Sequence, residues 1–366
     1  YDFVEEEFCL EGNATVFVNV DPLPLNPNGQ WTVAPASSAW YKTRILVHRP
    51  ADPKWFNGVV VVEWLNVSGG LDAATDWTYM RLELLRGGYI WVGVSAQKAG
   101  VDHLNNTDHS RYSTLMHPGD SFSYDIFSQV GQLLKGSGSV DPLAGMRPEV
   151  LLATGQSQSA FRLTTYYNAV QPLASIYDGF FIHSRLSGSA PVSQPPQACV
   201  PTPSITFIRT DVPIPVLTFQ TEGDLVLLLN SYWARQAPNL YFRFWEIAGN
   251  AHADVYVLEA AGVPELCPGA NDGPQHYVIR AALQHLVLWA QGGALPPVGE
   301  FLVVEAATPY LPVTLKRDEH GNALGGIRTP QLDVPIATYS GVAPPGVPGW
   351  CFLFGSTTPF DEDKLA

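Results

Sequence analysis

Charged residues are scarce in this chain of 366 residues, of which Lys, Arg, Asp and Glu make up only 15%. Basic residues are the rarer kind, because 20 Lys and Arg stand against 34 Asp and Glu, for a net charge of −14. This acidic balance argues against nucleic acids and anionic membranes as partners. The chain also lacks an apolar run long enough to cross a bilayer, so we expect no membrane span. A hydrophobic content of 46% predicts a large buried core instead.

Cysteines are also few, and none are paired at the spacing of metal ligands, so we expect no metal site. The four are Cys9, Cys199, Cys267 and Cys351. Two disulfides, Cys9–Cys351 and Cys199–Cys267, would tie the chain ends together and pin a loop. Four free thiols remain the alternative, because connectivity does not follow from sequence.

Three glycosylation sequons occur, at Asn13, Asn66 and Asn105. The first residue is Tyr1 and not Met, and no signal peptide is visible. Together with an even number of cysteines, these features favour a secreted, disulfide-containing glycoprotein.

Strands alternate with helices along the middle of the chain. Continuous apolar runs at 58–64 and 89–94 are typical of strands that are buried on both faces, and the segment 72–86 between them has a helical pattern. Further strands are predicted at 150–155, 178–183, 215–221 and 241–247, and further helices at 120–134 and 271–291. The alternation predicts an α/β fold with a mostly parallel central sheet flanked by helices.

Segments outside this alternation have other compositions. Residues 1–57 contain two strand-like segments, 14–20 and 41–49, which predict antiparallel strands at one edge of the sheet. The polar segment 96–118 predicts a long loop. Residues 184–212 predict a lid insertion, and residues 295–366 predict a β-rich C-terminal extension. No internal repeat or clean boundary interrupts the chain, so we expect a single domain over 1–366.

A serine follows the strand at 150–155 in a sharp turn. The apolar run stops at Gly155, Ser157 follows two residues later, and a helical pattern with Ala160 and Leu163 begins at once. Strand, turn and helix together are the context of a nucleophile elbow. Ser159 replaces the last glycine of the usual Gly-x-Ser-x-Gly pattern and is still small enough for close packing. The alternative is a serine that only caps the helix.

A nucleophilic serine needs a base, and the base needs an acid to orient it. His252 follows the strand at 241–247, and Glu222 and Asp224 follow the strand at 215–221. The carboxyl ends of parallel strands meet at one edge of a sheet, where sites form. We therefore predict catalytic roles for Ser157, Asp224 and His252, with Glu222 as the alternative acid.

Two backbone N–H groups are expected to stabilise the oxyanion. Gln158 directly follows the nucleophile, and Asn66 lies in the loop after the strand at 58–64. A glycan on Asn66 would crowd the site, so we expect this sequon to be unmodified.

The substrate pocket is predicted from position alone. His183 lies at a strand end near the presumed mouth and is expected to line the pocket. Tyr232 and Trp233, with the apolar residues 225–229 and the predicted lid, are expected to cover the site. Core packing is the alternative role for most aromatic residues.

Several stretches together resemble a poorly characterised family of α/β-hydrolase-domain proteins. They are 62–69 (VEWLNVSG), 117–125 (HPGDSFSYD), 155–162 (GQSQSAFR), 219–224 (FQTEGD), 248–254 (AGNAHAD), 325–330 (GGIRTP) and 338–341 (TYSG). The resemblance extends from about residue 40 to the end of the chain. It implies an α/β-hydrolase fold and hydrolase chemistry, makes the Gly-x-Ser-x-Ser elbow a family feature, and implies no particular substrate.

The expected activity is that of a serine esterase, which cleaves a carboxylic ester of a small molecule through an acyl-enzyme without a cofactor. An acyltransferase would use the same residues with an alcohol as acceptor. A ligand-binding protein on a hydrolase fold is a further alternative, because fold alone does not give function. The sequence does not fix the oligomeric state.

Overall fold

An eight-stranded sheet forms the centre of the computed structural model, which describes residues 2–137, 140–226, 228–308 and 311–365. The strands are β1 Phe3–Asn19, β2 Val33–Pro50, β3 Val59–Trp64, β4 Ile90–Val94, β5 Val150–Gln156, β6 Gly179–His183, β7 Val216–Thr221 and β8 Phe242–Ile247. Their order is β1-β2-β4-β3-β5-β6-β7-β8. All pairs from β4 to β8 are parallel, whereas β2 pairs antiparallel with both β1 and β4. The predicted mostly parallel sheet is therefore confirmed.

Strand β3 is buried along its whole length, as its run of valines predicts. Its one carboxylate, Glu63, accepts hydrogen bonds from the N–H groups of Asp76 (2.9 Å) and Trp77 (2.8 Å) and from the indole of Trp91 (2.9 Å). Glu63 therefore satisfies the first turn of helix α1, Thr75–Gly87, which has no capping side chain of its own. Burial, reinforced by the charge of Asp76, raises the pKa of Glu63 well above its usual range.

Helices cover both faces of the sheet. Besides α1 they are α2 Lys98–Thr107, α3 His109–Tyr112, α4 Ser123–Gln132, α5 Gln158–Thr165, α6 Gln171–Ala174, α7 Glu222–Val226, α8 Val255–Ala260 and α9 Gln275–Ala290. Shorter turns are Pro53–Trp55, Asp120–Phe122, Leu133–Ser137, Tyr166–Val170, Ser231–Ala234 and Pro264–Leu266. Phe127 and Leu163 belong to the core on one face, and Leu84 and Leu283 to the core on the other. No helix in the described ranges is both long enough and apolar enough to cross a membrane.

Two expectations about the segment before β5 are wrong. Residues 96–118, predicted as a long loop, contain α2 and α3. The prediction failed because the apolar residues of this segment are too sparse to show a helical period. The helix predicted to start at residue 120 begins instead at Ser123, as α4, so Asp120 is neither its first residue nor its N-cap. Its carboxylate instead accepts the N–H of Lys98 at 2.9 Å and pairs with Arg162 at 3.1 Å.

The chain beyond residue 295 adds two antiparallel hairpins, as the predicted β-rich extension requires. These are β9 Val304–Thr308 with β10 Leu311–Leu315, and β11 Ala337–Ser340 with β12 Ser356–Pro359. Two short helices, α10 Pro330–Asp333 and α11 Glu362–Leu365, complete the extension. Between β11 and β12 lies a 3₁₀ helix, Gly349–Phe354, which we call the 349–354 helix.

The disulfide in this structure joins Cys267 to Cys351, which lie 84 residues apart. Cys9 and Cys199 are exposed free thiols. The predicted pairs Cys9–Cys351 and Cys199–Cys267 are therefore wrong. The bond fixes the 349–354 helix to the segment that follows α8, a contact between distant parts of the chain that spacing alone does not predict.

Candidate active site

Ser157 lies at the turn between the end of β5 and the start of α5. Its backbone has a φ of 60° and a ψ of −115°, a strained conformation for a residue with a side chain. The turn is held by the Ser157 N–H, which donates to the carbonyl of His183 at 2.9 Å. A Cβ on Gly155 would come within 2.8 Å of the Cβ of Ser159. Small residues at both positions therefore allow the helix to leave the strand so sharply.

Asp224 and His252 meet above the carboxyl ends of β7 and β8. Nδ1–H of His252 donates to Asp224 at 2.7 Å, and both side chains are buried. The second oxygen of Asp224 accepts the Thr221 N–H and the Ser184 hydroxyl, each at 2.7 Å. Burial alone would raise the pKa of Asp224, but the charge of His252 and these hydrogen bonds hold it below its usual value. Asp224 therefore fixes the orientation of the imidazole through Nδ1 and leaves Nε2 on the opposite side of the ring.

Glu222, the alternative acid, is engaged elsewhere. It is buried, forms an ion pair with Arg317 of the C-terminal extension, and accepts the Gly249 N–H at 3.2 Å. Burial raises the pKa of Glu222, and the charge of Arg317 opposes this shift. These contacts connect the C-terminal extension to the loop that carries His252. Glu222 therefore stabilises the fold around the site and is not hydrogen-bonded to His252.

The second ring nitrogen of His252 faces Gln156, the residue before the serine. The Gln156 side-chain amide lies 3.2 Å from Nε2 of His252 and 3.3 Å from its carbonyl oxygen. The two ring nitrogens of His252 are thus occupied by Asp224 and Gln156, and not by Ser157. A proton transfer from Ser157 requires the Gln156 amide to move aside.

Asn66 does not present the free N–H that the sequence predicts. Its N–H donates to the carbonyl of Ala73 at 2.9 Å, and its side chain donates to the carbonyl of Gln156 at 2.9 Å. The side chain is buried, which leaves no room for a glycan in the folded chain. Asn66 therefore holds its loop against the elbow. The N–H of Gln158, in contrast, is the first of α5 and has no acceptor within the helix.

His183 lies beneath the site and not on its surface. It is fully buried, and its Nδ1–H donates to Asp76 at 2.7 Å. Thr154 donates to the other oxygen of Asp76. Nε2 of His183 has no hydrogen-bond partner among the described residues. His183 therefore supports the site from below. Its side chain binds Asp76, and its carbonyl accepts the N–H of Ser157.

Tyr232 and Trp233 are placed away from the serine. The ring of Tyr232 lies 4.8 Å from the guanidinium of Arg235 and packs with a core cluster that includes residues of the C-terminal extension. Trp233 makes an edge contact with Tyr232. Within the predicted cover 225–229, Leu228 and Leu229 line the site, and Leu227 lies outside the described residues.

Ser157 and His252 open into a cavity of about 500 Å³. Its polar residues are Asn66, Ser68, Thr75, Gln156, Ser157, Gln158 and His252. Its apolar residues are Phe161, Leu186, Leu228, Leu229, Val257, Trp350, Leu353 and Phe354, with Gly69 and Ala253 between them. Leu186 is the contribution of the predicted lid 184–212, a segment in which the described residues form no helix or strand.

The residues that the 349–354 helix brings to the cavity did not emerge from the sequence. The available signal was the apolar run 350–354 in an otherwise Pro- and Gly-rich tail. Gln156 did not emerge either, because its position before the nucleophile was the only indication of its place in the site. In the described part of the chain, no group of three or more His, Cys, Asp and Glu side chains is arranged to hold a metal.

The fold and the elbow define the class of α/β hydrolases. A family model described as "Alpha/beta hydrolase domain" matches residues 1–366, so the chain belongs to this family. No curated protein matches the chain.

Solved structures similar to this chain include an α/β serine hydrolase without a lid from Xanthomonas campestris, with 13% identity, a TM-score of 0.41, and coverage of 78% of this chain and 97% of that one. An esterase from Rhizomucor miehei has 10% identity, a TM-score of 0.37, and coverage of 78% and 85%. A dienelactone hydrolase from Anabaena variabilis has 10% identity, a TM-score of 0.37, and coverage of 74% and 96%.

Proposed function

We propose that this protein is a serine hydrolase that cleaves carboxylic esters through an acyl-enzyme. The observation that carries the proposal is the buried 2.7 Å contact between Asp224 and His252, in a site where His252 and the strained Ser157 share one cavity. Such strain is stable only where the surrounding structure enforces it, and it is common at catalytic residues. Membership of the family supports hydrolase chemistry and leaves the ester specificity to experiment.

In the acylation step, Oγ of Ser157 attacks the ester carbonyl carbon while its proton passes to Nε2 of His252. Asp224 holds the tautomer that makes this transfer possible and stabilises the imidazolium that results. The tetrahedral intermediate then expels the alcohol, which takes the proton from His252. A covalent ester between Ser157 and the acyl group remains.

In the deacylation step, His252 takes a proton from water, and the resulting hydroxide attacks the acyl carbon. Collapse of the second intermediate returns the proton to Ser157 and releases the acid. Gln156 leaves Nε2 in the first step and is free to return to it after the last.

The oxyanion needs two donors, and we propose the Gln158 N–H as the first. For the second we propose Gly69 in place of Asn66. Gly69 lines the cavity, and it belongs to the same loop as Asn66, whose own N–H is bonded to Ala73. The dipole of α5 adds to the stabilisation of negative charge at this point.

We further propose that the protein works outside the reducing cytosol. The Cys267–Cys351 disulfide supports this location, because such bonds persist in oxidising compartments.

The test is covalent labelling with a fluorophosphonate probe, followed by peptide mapping. We expect labelling at Ser157 in the folded protein, none in Ser157→Ala, and a rate at least about 10³-fold lower in His252→Ala. Heat-denatured protein is the control for nonspecific reaction and should not be labelled. Equal labelling of Ser157→Ala, or no labelling of folded protein, would refute the proposal.

A further inference from the structure

The catalytic cavity is polar on one side and apolar on the other. Its polar residues surround Ser157, whereas the remaining walls are apolar and come from separate parts of the chain. Phe161 is contributed by α5, Leu186 by the predicted lid, and Val257 by α8, and the 349–354 helix adds Trp350, Leu353 and Phe354. No Lys, Arg, Asp or Glu is among the described residues that line the cavity.

The 349–354 helix is attached directly to the segment that carries the catalytic histidine. The N–H of Ala253, the residue after His252, donates to the carbonyl of Leu353 at 3.1 Å. The carbonyl of Phe354 accepts the N–H of Asn271 at 2.8 Å, and Cys351 is bonded to Cys267. Three attachments hold this apolar wall at a fixed place beside His252.

The side of the cavity next to His252 must receive the leaving group. His252 transfers its proton to the alcohol oxygen when the tetrahedral intermediate collapses, so this oxygen lies beside Nε2. The alcohol moiety that follows the oxygen then extends toward the wall that is attached at Ala253. The acyl group extends in another direction from the same carbon.

Resting on the proposed esterase function, we propose that the 349–354 helix is the binding wall for the alcohol part of the substrate, and that this part is uncharged and apolar, with several carbons. Two large side chains at the cavity, Leu228 and Trp350, are 73% and 63% exposed, and an apolar alcohol would cover them. A carboxylate there would lose part of its hydration without gaining a cationic partner. The net charge of −14 also disfavours the approach of an anion.

The experiment measures kcat/KM for acetate esters that differ only in the alcohol: methyl, propyl, pentyl and hexyl acetate. All form the same acetyl-enzyme, so differences in kcat/KM report the alcohol in the acylation step. We expect an increase of roughly three-fold for each methylene that the wall covers. The charged counterpart of pentyl acetate is 5-acetoxypentanoate, for which we expect kcat/KM at least roughly 50-fold lower than for pentyl acetate.

A pair of tryptophan variants identifies the wall. Trp350→Ala should lower kcat/KM for hexyl acetate by roughly ten-fold and leave methyl acetate within about two-fold. Trp55→Ala is the matched control, because Trp55 is 68% exposed and lies between β2 and β3, outside the cavity. It should change neither rate.

The outcomes separate this inference from the proposed function. If the fluorophosphonate labels Ser157 but kcat/KM is independent of alcohol length and charge, the wall assignment is wrong and the hydrolase proposal stands. An equal loss on both esters in Trp350→Ala would also overturn the wall. If Ser157 is not labelled and no acetate is hydrolysed, both proposals fail together.

Discussion

The side-chain amide of Gln156 lies 3.2 Å from Nε2 of His252, the atom that is proposed to accept the proton of Ser157. A side-chain donor in this place favours an imidazole whose proton is on Nδ1, the nitrogen that lies 2.7 Å from Asp224. The same donor competes with the serine hydroxyl for Nε2. We therefore expect Gln156 to favour this tautomer at rest and to delay the proposed first proton transfer.

Replacing Gln156 with Leu should accelerate the reaction of Ser157 with a fluorophosphonate. Leu lacks the donor and keeps a similar volume, so Nε2 becomes available to the hydroxyl. A hydrogen bond of this kind contributes roughly 1 kcal/mol, which corresponds to an increase of about five-fold in the labelling rate. Gln156→Ala tests volume separately: if only Ala accelerates labelling, space and not competition explains the effect. A slower rate in both variants would show that Gln156 assists the base.

The two carboxylates after β7 should respond in opposite ways to neutralisation. Asp224→Asn cannot hold the Nδ1–H tautomer, so we expect kcat for an ester to fall by about 10³- to 10⁴-fold with little loss of stability. Glu222→Gln should keep kcat within a few-fold but lower the free energy of unfolding by about 3 kcal/mol, because it leaves the buried side of Arg317 without its partner.

The measurements are steady-state ester hydrolysis and urea unfolding of the same two preparations. Each variant is the control for the other, since both remove one buried negative charge within three residues. Loss of kcat in Glu222→Gln, with activity retained in Asp224→Asn, would reverse the assignment of the acid.

The sequence predicts those parts of the site that depend on strand ends. Ser157, Asp224 and His252 each follow a buried strand, and parallel strands bring their carboxyl ends to one edge whatever the loops do. The apolar sequences of β3, β5 and β7 made these strands recognisable.

Features that depend on side-chain partners did not follow from the sequence. The Asn66 N–H donates to the carbonyl of Ala73 across its own loop, and no sequence pattern reveals this contact. His183 ends a strand as expected, but its ring is hydrogen-bonded to Asp76, a buried carboxylate on α1, and therefore does not line the cavity. The wall at Trp350 depends on a disulfide between cysteines that lie 84 residues apart in the sequence. Sequence alone leaves that connectivity open.

Removing the Cys267–Cys351 bond should destabilise the fold and loosen the wall. Closing a loop of 84 residues is worth about 4.6 kcal/mol in the chain-entropy model, and measured effects are often smaller, so we expect the double variant Cys267→Ser/Cys351→Ser to lose about 3 kcal/mol in urea unfolding. KM for hexyl acetate should rise more than KM for methyl acetate, because the longer alcohol depends on the wall.

The double variant Cys9→Ser/Cys199→Ser is the matched control, because both thiols are exposed and free. It should leave unfolding and both KM values unchanged. A thiol titration checks the premise: two reactive thiols in denatured protein without reductant, and four after reduction. Four thiols before reduction would show that the bond is absent.

Asp254 should make stability fall as the pH rises from about 4 to 6. Its carboxylate is buried between Tyr79 and Gln275, at 3.1 and 2.8 Å. Burial raises its pKa from 3.8 to about 6, although these hydrogen bonds and the N–H of Val257 oppose the shift. Between the two values the folded chain holds a proton that the unfolded chain has released. The free energy of unfolding therefore decreases through this window, by at most about 3 kcal/mol, and is flat above it.

The measurement is urea unfolding at several pH values between 4 and 8, compared with Asp254→Asn. Other carboxylates titrate in both proteins, so the difference in unfolding free energy between them isolates Asp254. That difference should change by roughly 2.4 kcal/mol in favour of the variant between pH 4 and 7. Glu319→Gln removes a carboxylate whose side chain is 87% exposed. Its free energy of unfolding should change with pH in the same way as that of the wild type. A difference that stays constant over this range would mean that Asp254 titrates at the same pH in the folded and unfolded chain, and that its burial is fully compensated by Tyr79, Gln275 and Val257.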